Sequence, residues 1–76
     1  MRNIEQFRAL LVAKGARVTR DDGRLIFINA EASPNLFDYW NDNFYLGVSD
    51  EMVELSEEYG WYFEWEDAGT IVAVPD

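Results

Sequence analysis

The chain has 76 residues, of which 49% are hydrophobic, and it carries a formal net charge of −9. It holds no Cys and no His, which excludes disulfides, thiolate chemistry, the usual zinc ligand and the usual general base near neutral pH. This length predicts one domain over residues 1–76. No apolar run reaches the roughly 18 residues of a membrane span, and the first residues lack the pattern of a secretory signal. We therefore expect a cytoplasmic protein that does not associate with membranes.

Charge is distributed unevenly along the chain. All six basic residues lie in the first 24 positions with three acids, so this part carries 6 − 3 = +3. Residues 25–76 hold the other 15 − 3 = 12 acids and no Lys or Arg, and therefore carry −12. Such an asymmetry between two parts of a chain is typical of a protein that engages a charged partner.

The first part of the chain has the pattern of a helix followed by a hairpin. Asn3 is a favourable N-cap, Phe7 and Leu11 lie four residues apart on one face, and Gly15 is a typical helix stop. These features predict a helix over 4–14. A DDG turn then separates the runs ARVTR and RLIFINA, which predicts two antiparallel strands.

The second part repeats this order of elements. Met52, Leu55 and Tyr59 follow helical spacing between Ser49, a favourable N-cap, and Gly60, a typical helix stop. The runs WYFEWED and TIVAVP follow as a second hairpin. We therefore predict an α+β fold, with an αββ-αββ pseudo-repeat, a four-stranded antiparallel sheet and both helices on one face of that sheet.

Alternation along the strands predicts which side chains face inward. Trp61, Phe63 and Trp65 are expected to face the helices, and the residues between them are expected to face solvent. The runs RLIFINA and TIVAVP are apolar at nearly every position, which predicts either sites inside the sheet or a covered second face.

The middle segment, SPNLFDYWNDNFYLG, is rich in aromatic residues. Ser33 and Pro34 suit the N-cap and first position of a helix, so we predict a short helix near 34–41. Its aromatic side chains are expected to cap one end of the core or to lie across the sheet; they are Phe37, Tyr39, Trp40, Phe44 and Tyr45.

Residue types argue against catalysis and cofactors. The three serines have no His to activate them, and the single lysine lies at a helix end. A pair of carboxylates of the glycosidase kind is formally available, but so small a domain rarely encloses a cleft. The NDN and EWED runs offer oxygen ligands without the spacing of a calcium loop, so we expect no metal and no cofactor. The charge of −12 on residues 25–76 repels phosphates and therefore disfavours direct binding of nucleic acid.

The run of acids from the second helix into the following strand is the strongest functional signal. Like charges one helical turn apart cost about 0.2–0.5 kcal/mol per pair, and no lysine lies at i+4 to offset them. The simpler explanation is a solvated face that maintains solubility. The functional hypothesis is that a basic partner supplies the missing cations. The predicted partner-binding residues are Asp50, Glu51, Glu54, Glu57, Glu58, Tyr62, Glu64, Glu66 and Asp67.

In size, charge and lack of catalytic residues, the chain resembles small phage-encoded inhibitors of the anti-CRISPR and anti-restriction type. It is similar in the same way to acidic immunity proteins that block nucleases. The resemblance covers the overall character of the chain and no motif, so it assigns no residue. It implies an acidic nucleic-acid mimic that binds a basic, nucleic-acid-binding surface of a protein. The alternative is a small structural or assembly protein that docks or forms a homodimer through its aromatic middle segment.

Overall fold

A computed structural model describes residues 3–76. Its elements follow one another as α1 (Ile4–Ala13), β1 (Val18–Asp21), β2 (Ile26–Asn29), α2 (Asp50–Tyr59), β3 (Trp61–Asp67) and β4 (Thr70–Pro75). Two helices and one four-stranded antiparallel sheet confirm the predicted α+β class. Arg2, one of the six basic residues, lies outside the described residues. Among the helices of residues 3–76, none has the length and apolarity needed to cross a membrane.

Both helices begin at the residues that the local sequence predicts. The Asn3 side chain accepts the backbone N–H of Gln6, and the Ser49 hydroxyl accepts the backbone N–H of Met52. These bonds satisfy N–H groups that have no partner within the first turn of a helix. Gly60 ends α2 in the left-handed region, with φ of 78°, where glycine has no Cβ to clash. The chain can therefore pass directly from α2 into β3.

The strand order is β1-β2-β4-β3, so the two most apolar strands occupy the middle of the sheet. Their outward side chains are also covered: Phe27 is 9% exposed and Val72 is 7% exposed. The guanidinium of Arg20 lies 3.7 Å from the centre of the Phe27 ring. β2 and β4 therefore lie inside the sheet and also have a covered outer face, so both explanations of their apolar runs apply.

A single hydrophobic core lies between the helices and one face of the sheet. Phe7 of α1 stacks on Trp61 of β3, with ring centres 4.8 Å apart and planes 5° apart. Met52 of α2 and Ile71 of β4 are fully buried in the same cluster. Both helices therefore pack on the face that carries Trp61, as predicted, and the acids of α2 are left on the outside of the molecule.

The predicted helix near 34–41 is wrong. Only a single turn forms after Ser33, because the backbone N–H of Asp38 bonds the carbonyl of Gly47 across the loop at 2.8 Å. The Ser33 hydroxyl is also unavailable as a cap, since it accepts the backbone N–H of Arg17 at 2.8 Å. Long-range bonds have replaced the local ones that a helix requires.

Candidate protein-binding surface

Helical spacing divides the five exposed acids of α2 into two flanks. Asp50, Glu54 and Glu57 follow one another at i, i+4 and i+7 and form the groove flank. Glu51 and Glu58 lie seven residues apart, roughly a quarter-turn further round the helix, and form the α1 flank. The apolar stripe of the helix lies on the side opposite both flanks and faces the core.

One acid of the α1 flank has a cation within the chain. Lys14, at the end of α1, forms an ion pair with Glu51 at 3.1 Å. The expectation that the acids of α2 lack any compensating cation is therefore wrong for Glu51. Both partners are about half exposed, so the pair contributes only about 0–1 kcal/mol. Within residues 3–76, no Lys or Arg forms an ion pair with the other four acids of α2.

Strand β3 presents the alternation that the sequence predicts. Trp61 is buried, Phe63 and Trp65 are half-buried, and Tyr62 is 42% exposed. The intervening acids are exposed. They are Glu64 and Glu66.

The last part of β3 departs from a regular strand. The pairing register shifts between Trp65 and Asp67, so Glu66 lies in a bulge. Asp67 accepts the backbone N–H of Gly69 at 2.8 Å and therefore shapes the turn into β4. This acid has a local structural role in addition to its predicted role in binding.

A groove of about 570 Å³ runs between α2, β3 and the loop before α2, and we call it the edge groove. It unites three predicted residues, Glu57, Tyr62 and Glu64, which come from two elements. The edge groove is lined by Tyr45, Leu46, Val48, Val53, Ser56, Glu57, Trp61, Tyr62, Phe63, Glu64, Trp65 and Asp76. Glu66 lies apart from it, in a second groove of about 370 Å³ on the outer face of the sheet.

The aromatic loop, residues 39–46, forms a wall beside the edge groove. Trp40 is 76% exposed, Tyr45 is 68% exposed and Leu46 is 73% exposed. Phe37, just before the loop, is instead fully buried and meets the Phe63 ring edge-on at 5.0 Å. The middle segment is therefore divided between the core and the surface, and its exposed part holds the aromatic types that dominate binding interfaces.

The base of the aromatic loop is held in one position by Trp65. The indole Nε1 of Trp65 donates a hydrogen bond to the Leu46 carbonyl at 2.7 Å, and the Tyr39 ring meets the indole edge-on at 5.2 Å. Leu46 has φ of 50°, an unfavourable region for a residue with a Cβ. Strain of this kind is often found at binding sites.

Sequence reasoning missed several residues of the edge groove. Leu46 and Asp76 line it, but neither was among the predicted partner-binding residues. Leu46 directly precedes Gly47, and a Leu-Gly step after a run of aromatics is a usable signal of a turn that leaves an apolar side chain at the surface. Asp76 is brought to the groove by the pairing of β4 with β3, which no local pattern reveals.

The described residues hold one clear pKa shift and no metal-binding cluster. Among residues 3–76, no group of three or more acidic side chains converges as metal ligands do. The pKa of the Asp22 carboxyl is lowered because it accepts the backbone N–H groups of Leu25 and Arg24 in the β1–β2 turn. In comparisons with known proteins, no family model, curated protein or solved structure matches the chain.

Proposed function

We propose that this protein binds a basic protein and blocks the surface on which that partner holds nucleic acid. The observation that supports the proposal is the exposed acidic surface of α2 and β3. Four of the five α2 acids have no ion-pair partner within residues 3–76, and residues 25–76 contain no Lys or Arg. A partner's cations would therefore be the main source of compensating charge.

The acidic surface affects both the stability of the fold and the association with a partner. Like charges one helical turn apart destabilise the isolated helix by about 0.2–0.5 kcal/mol per pair. A cationic partner reverses the sign of that interaction and is attracted over distances of about 10 Å at moderate salt. Surfaces that hold phosphates are rich in such cations, and carboxylates compete for them. The protein would then act as an inhibitor in the cytoplasm, without catalysis or a cofactor.

Capture from a cell lysate, followed by displacement, tests this proposal. The immobilised protein should retain partners at low salt and release them as salt is raised. Added duplex DNA or RNA should also release them, because it competes for the same basic surface. Retained partners that are insensitive to both salt and nucleic acid would contradict the proposal.

A second candidate function has its own supporting observation. Trp40, Tyr45 and Leu46 are each more than two-thirds exposed, which is unusual for large apolar side chains with no further role. A structural or assembly protein that docks or dimerises through the aromatic loop would account for them. Association through this loop should change little with salt, and Trp40→Ala should abolish it while leaving the acidic surface intact.

A further inference from the structure

We propose that the edge groove binds an extended, basic segment of the partner, which adds to the free edge of β3 as a fifth strand. This inference rests on the proposed function and specifies how the partner is held. In the strand order of the sheet, β3 is an edge strand. Within residues 3–76, no strand pairs with the outer side of β3.

The hairpin register shows which backbone groups are available on that side. The backbone N–H of Asp76 bonds the carbonyl of Gly60, and in an antiparallel pair such bonded positions alternate with unbonded ones. By this alternation, Trp61, Phe63 and Trp65 direct their backbone N–H and C=O groups away from β4. Trp61 is only 3% exposed, so the accessible edge begins at Phe63.

The surroundings of this edge favour a basic occupant. Three acids line the edge groove: Glu57 from α2, Glu64 from β3 and Asp76, which directly follows β4. None of the described residues that line the groove is Lys or Arg. An extended segment that alternates cationic and apolar residues would place its cations on the outer face of the sheet, with Glu64, and its apolar side chains on the inner face, with Leu46 and the floor of the groove. Glu57 and Asp76 add to the negative potential that attracts this segment. Binding by strand addition combines backbone hydrogen bonds with side-chain selection in this way.

The same charges argue against a second copy of this chain as the occupant. If two β3 edges paired, each Glu64 and Glu66 would meet the acids of the other β3 strand. Like charges opposite one another destabilise a strand pair. Strand addition by a basic segment turns this repulsion into attraction, so a separate basic protein is the better match.

A peptide experiment with matched controls tests the inference. The probe is an eight-residue peptide of alternating Arg and Val, capped at both ends. One control peptide carries N-methyl groups on alternate amides, which removes backbone donors without changing charge. Affinity is measured by fluorescence titration, and hydrogen exchange is measured at the Phe63 and Trp65 amides. We expect the Arg-Val peptide to slow exchange at both amides, and N-methylation to weaken binding by at least about tenfold, the equivalent of about 1.4 kcal/mol.

Two double variants separate the groove from general attraction by negative charge. Glu57→Gln with Glu64→Gln removes two charges from the edge groove, and Glu5→Gln with Glu31→Gln removes two exposed charges that lie outside it. Both double variants lose two negative charges. Only the first should weaken peptide binding by about tenfold or more, whereas the second should weaken it by less than about threefold.

The possible outcomes distinguish this inference from the proposed function. Strand addition would be overturned if salt-sensitive peptide binding were unaffected by N-methylation, or if it weakened equally in both double variants. Either outcome would leave an acidic binding surface. Absence of any salt-sensitive binding, by the peptide or by lysate partners, would overturn both. A stable dimer whose Phe63 and Trp65 amides are protected without peptide would show that a second copy is the occupant.

Discussion

The Trp65 indole donates its Nε1 hydrogen to the carbonyl oxygen of Leu46, 19 positions earlier in the chain, at 2.7 Å. This bond fixes the base of the exposed aromatic loop to the inward face of β3. The loop wall and the accessible strand edge therefore have a defined spacing. A preorganised site of this kind avoids part of the ordering cost of binding.

Gly47→Ala should destabilise the protein more than Gly23→Ala. Both glycines have positive φ, 76° and 88°, so either substitution incurs backbone strain of about 1–2 kcal/mol. At Gly47, an added Cβ would also lie 2.8 Å from Cζ2 of Trp65, whereas no atom of residues 3–76 lies within 4 Å of one at Gly23. Crowding of this kind costs about 1–3 kcal/mol more. Urea denaturation of the two variants measures the difference, and equal losses would show that the Trp65 ring moves aside freely.

Leu46→Gly should separate stability from binding. The substitution relieves the left-handed strain at this position, while glycine adds freedom to the unfolded chain, so the free energy of unfolding should stay equal or rise by up to about 1 kcal/mol. If the edge groove binds as proposed, affinity for the Arg-Val peptide should fall because Leu46 no longer contributes an exposed apolar contact. The neighbouring change Tyr45→Gly is the control: it relieves no positive φ and should lower stability. A large loss of stability in Leu46→Gly would contradict the strain assignment.

Neighbouring substitutions in β3 test the assignment of faces. Trp61→Ala removes a buried ring that stacks on Phe7, and it should cost about 3–5 kcal/mol. Tyr62→Ala removes a side chain that is 42% exposed, and it should cost less than about 1 kcal/mol. Thermal and urea unfolding give both values. If Tyr62→Ala cost more stability than Trp61→Ala, the inward and outward faces of β3 would be the reverse of those assigned.

Glu54→Gln combined with Glu58→Gln tests the role of the acidic helix. Loss of like-charge pairs should leave the free energy of unfolding unchanged or raise it by up to about 1 kcal/mol. Association with a basic partner should slow, and its salt dependence should become shallower. Glu5→Gln with Glu31→Gln removes the same net charge elsewhere and should slow association less. Unchanged association in the first variant would favour the solvated-face explanation and docking through the aromatic loop.

The β1–β2 turn should contribute a pH-dependent term to stability through Asp22. Its pKa is lowered from 3.8 in the folded state by backbone N–H donors, chiefly that of Leu25. The unfolded chain therefore binds the proton more readily, so this contribution is complete above the unfolded pKa and is lost as pH falls through the folded pKa. Asp22→Asn keeps the Oδ1 acceptor and removes the charge.

Two measurements test the lowered pKa of Asp22. The Asp22 carboxyl resonance should titrate below its value in a model peptide. The gap in unfolding free energy between the parent and Asp22→Asn should narrow as the solution is acidified below about pH 4. A titration at or above the peptide value would contradict the role assigned to the turn bonds.

Local sequence was sufficient to predict the elements that interactions between neighbouring residues determine. Asn3 and Ser49 cap their helices by bonds to residues three positions later, and Gly60 ends α2 through its own backbone conformation. The burial of Trp61 and the exposure of Tyr62 follow from the period of two in an extended chain. The runs of β2 and β4 are apolar at nearly every position, which likewise indicated strands inside the sheet.

The sequence by itself thus determined the helices, the hairpins and the large acidic excess, whereas the tertiary structure decided how these features meet. Strand order made β3 an edge, and the pairing of β4 brought Asp76 into the same groove as Glu57. The bond between Asp38 and Gly47 replaced the predicted helix near 34–41 and left Trp40 at the surface. The physical reason is range: caps, turns and periodicity act over about four residues, while strand pairing and side-chain contacts such as Lys14 with Glu51 join positions that no local pattern relates.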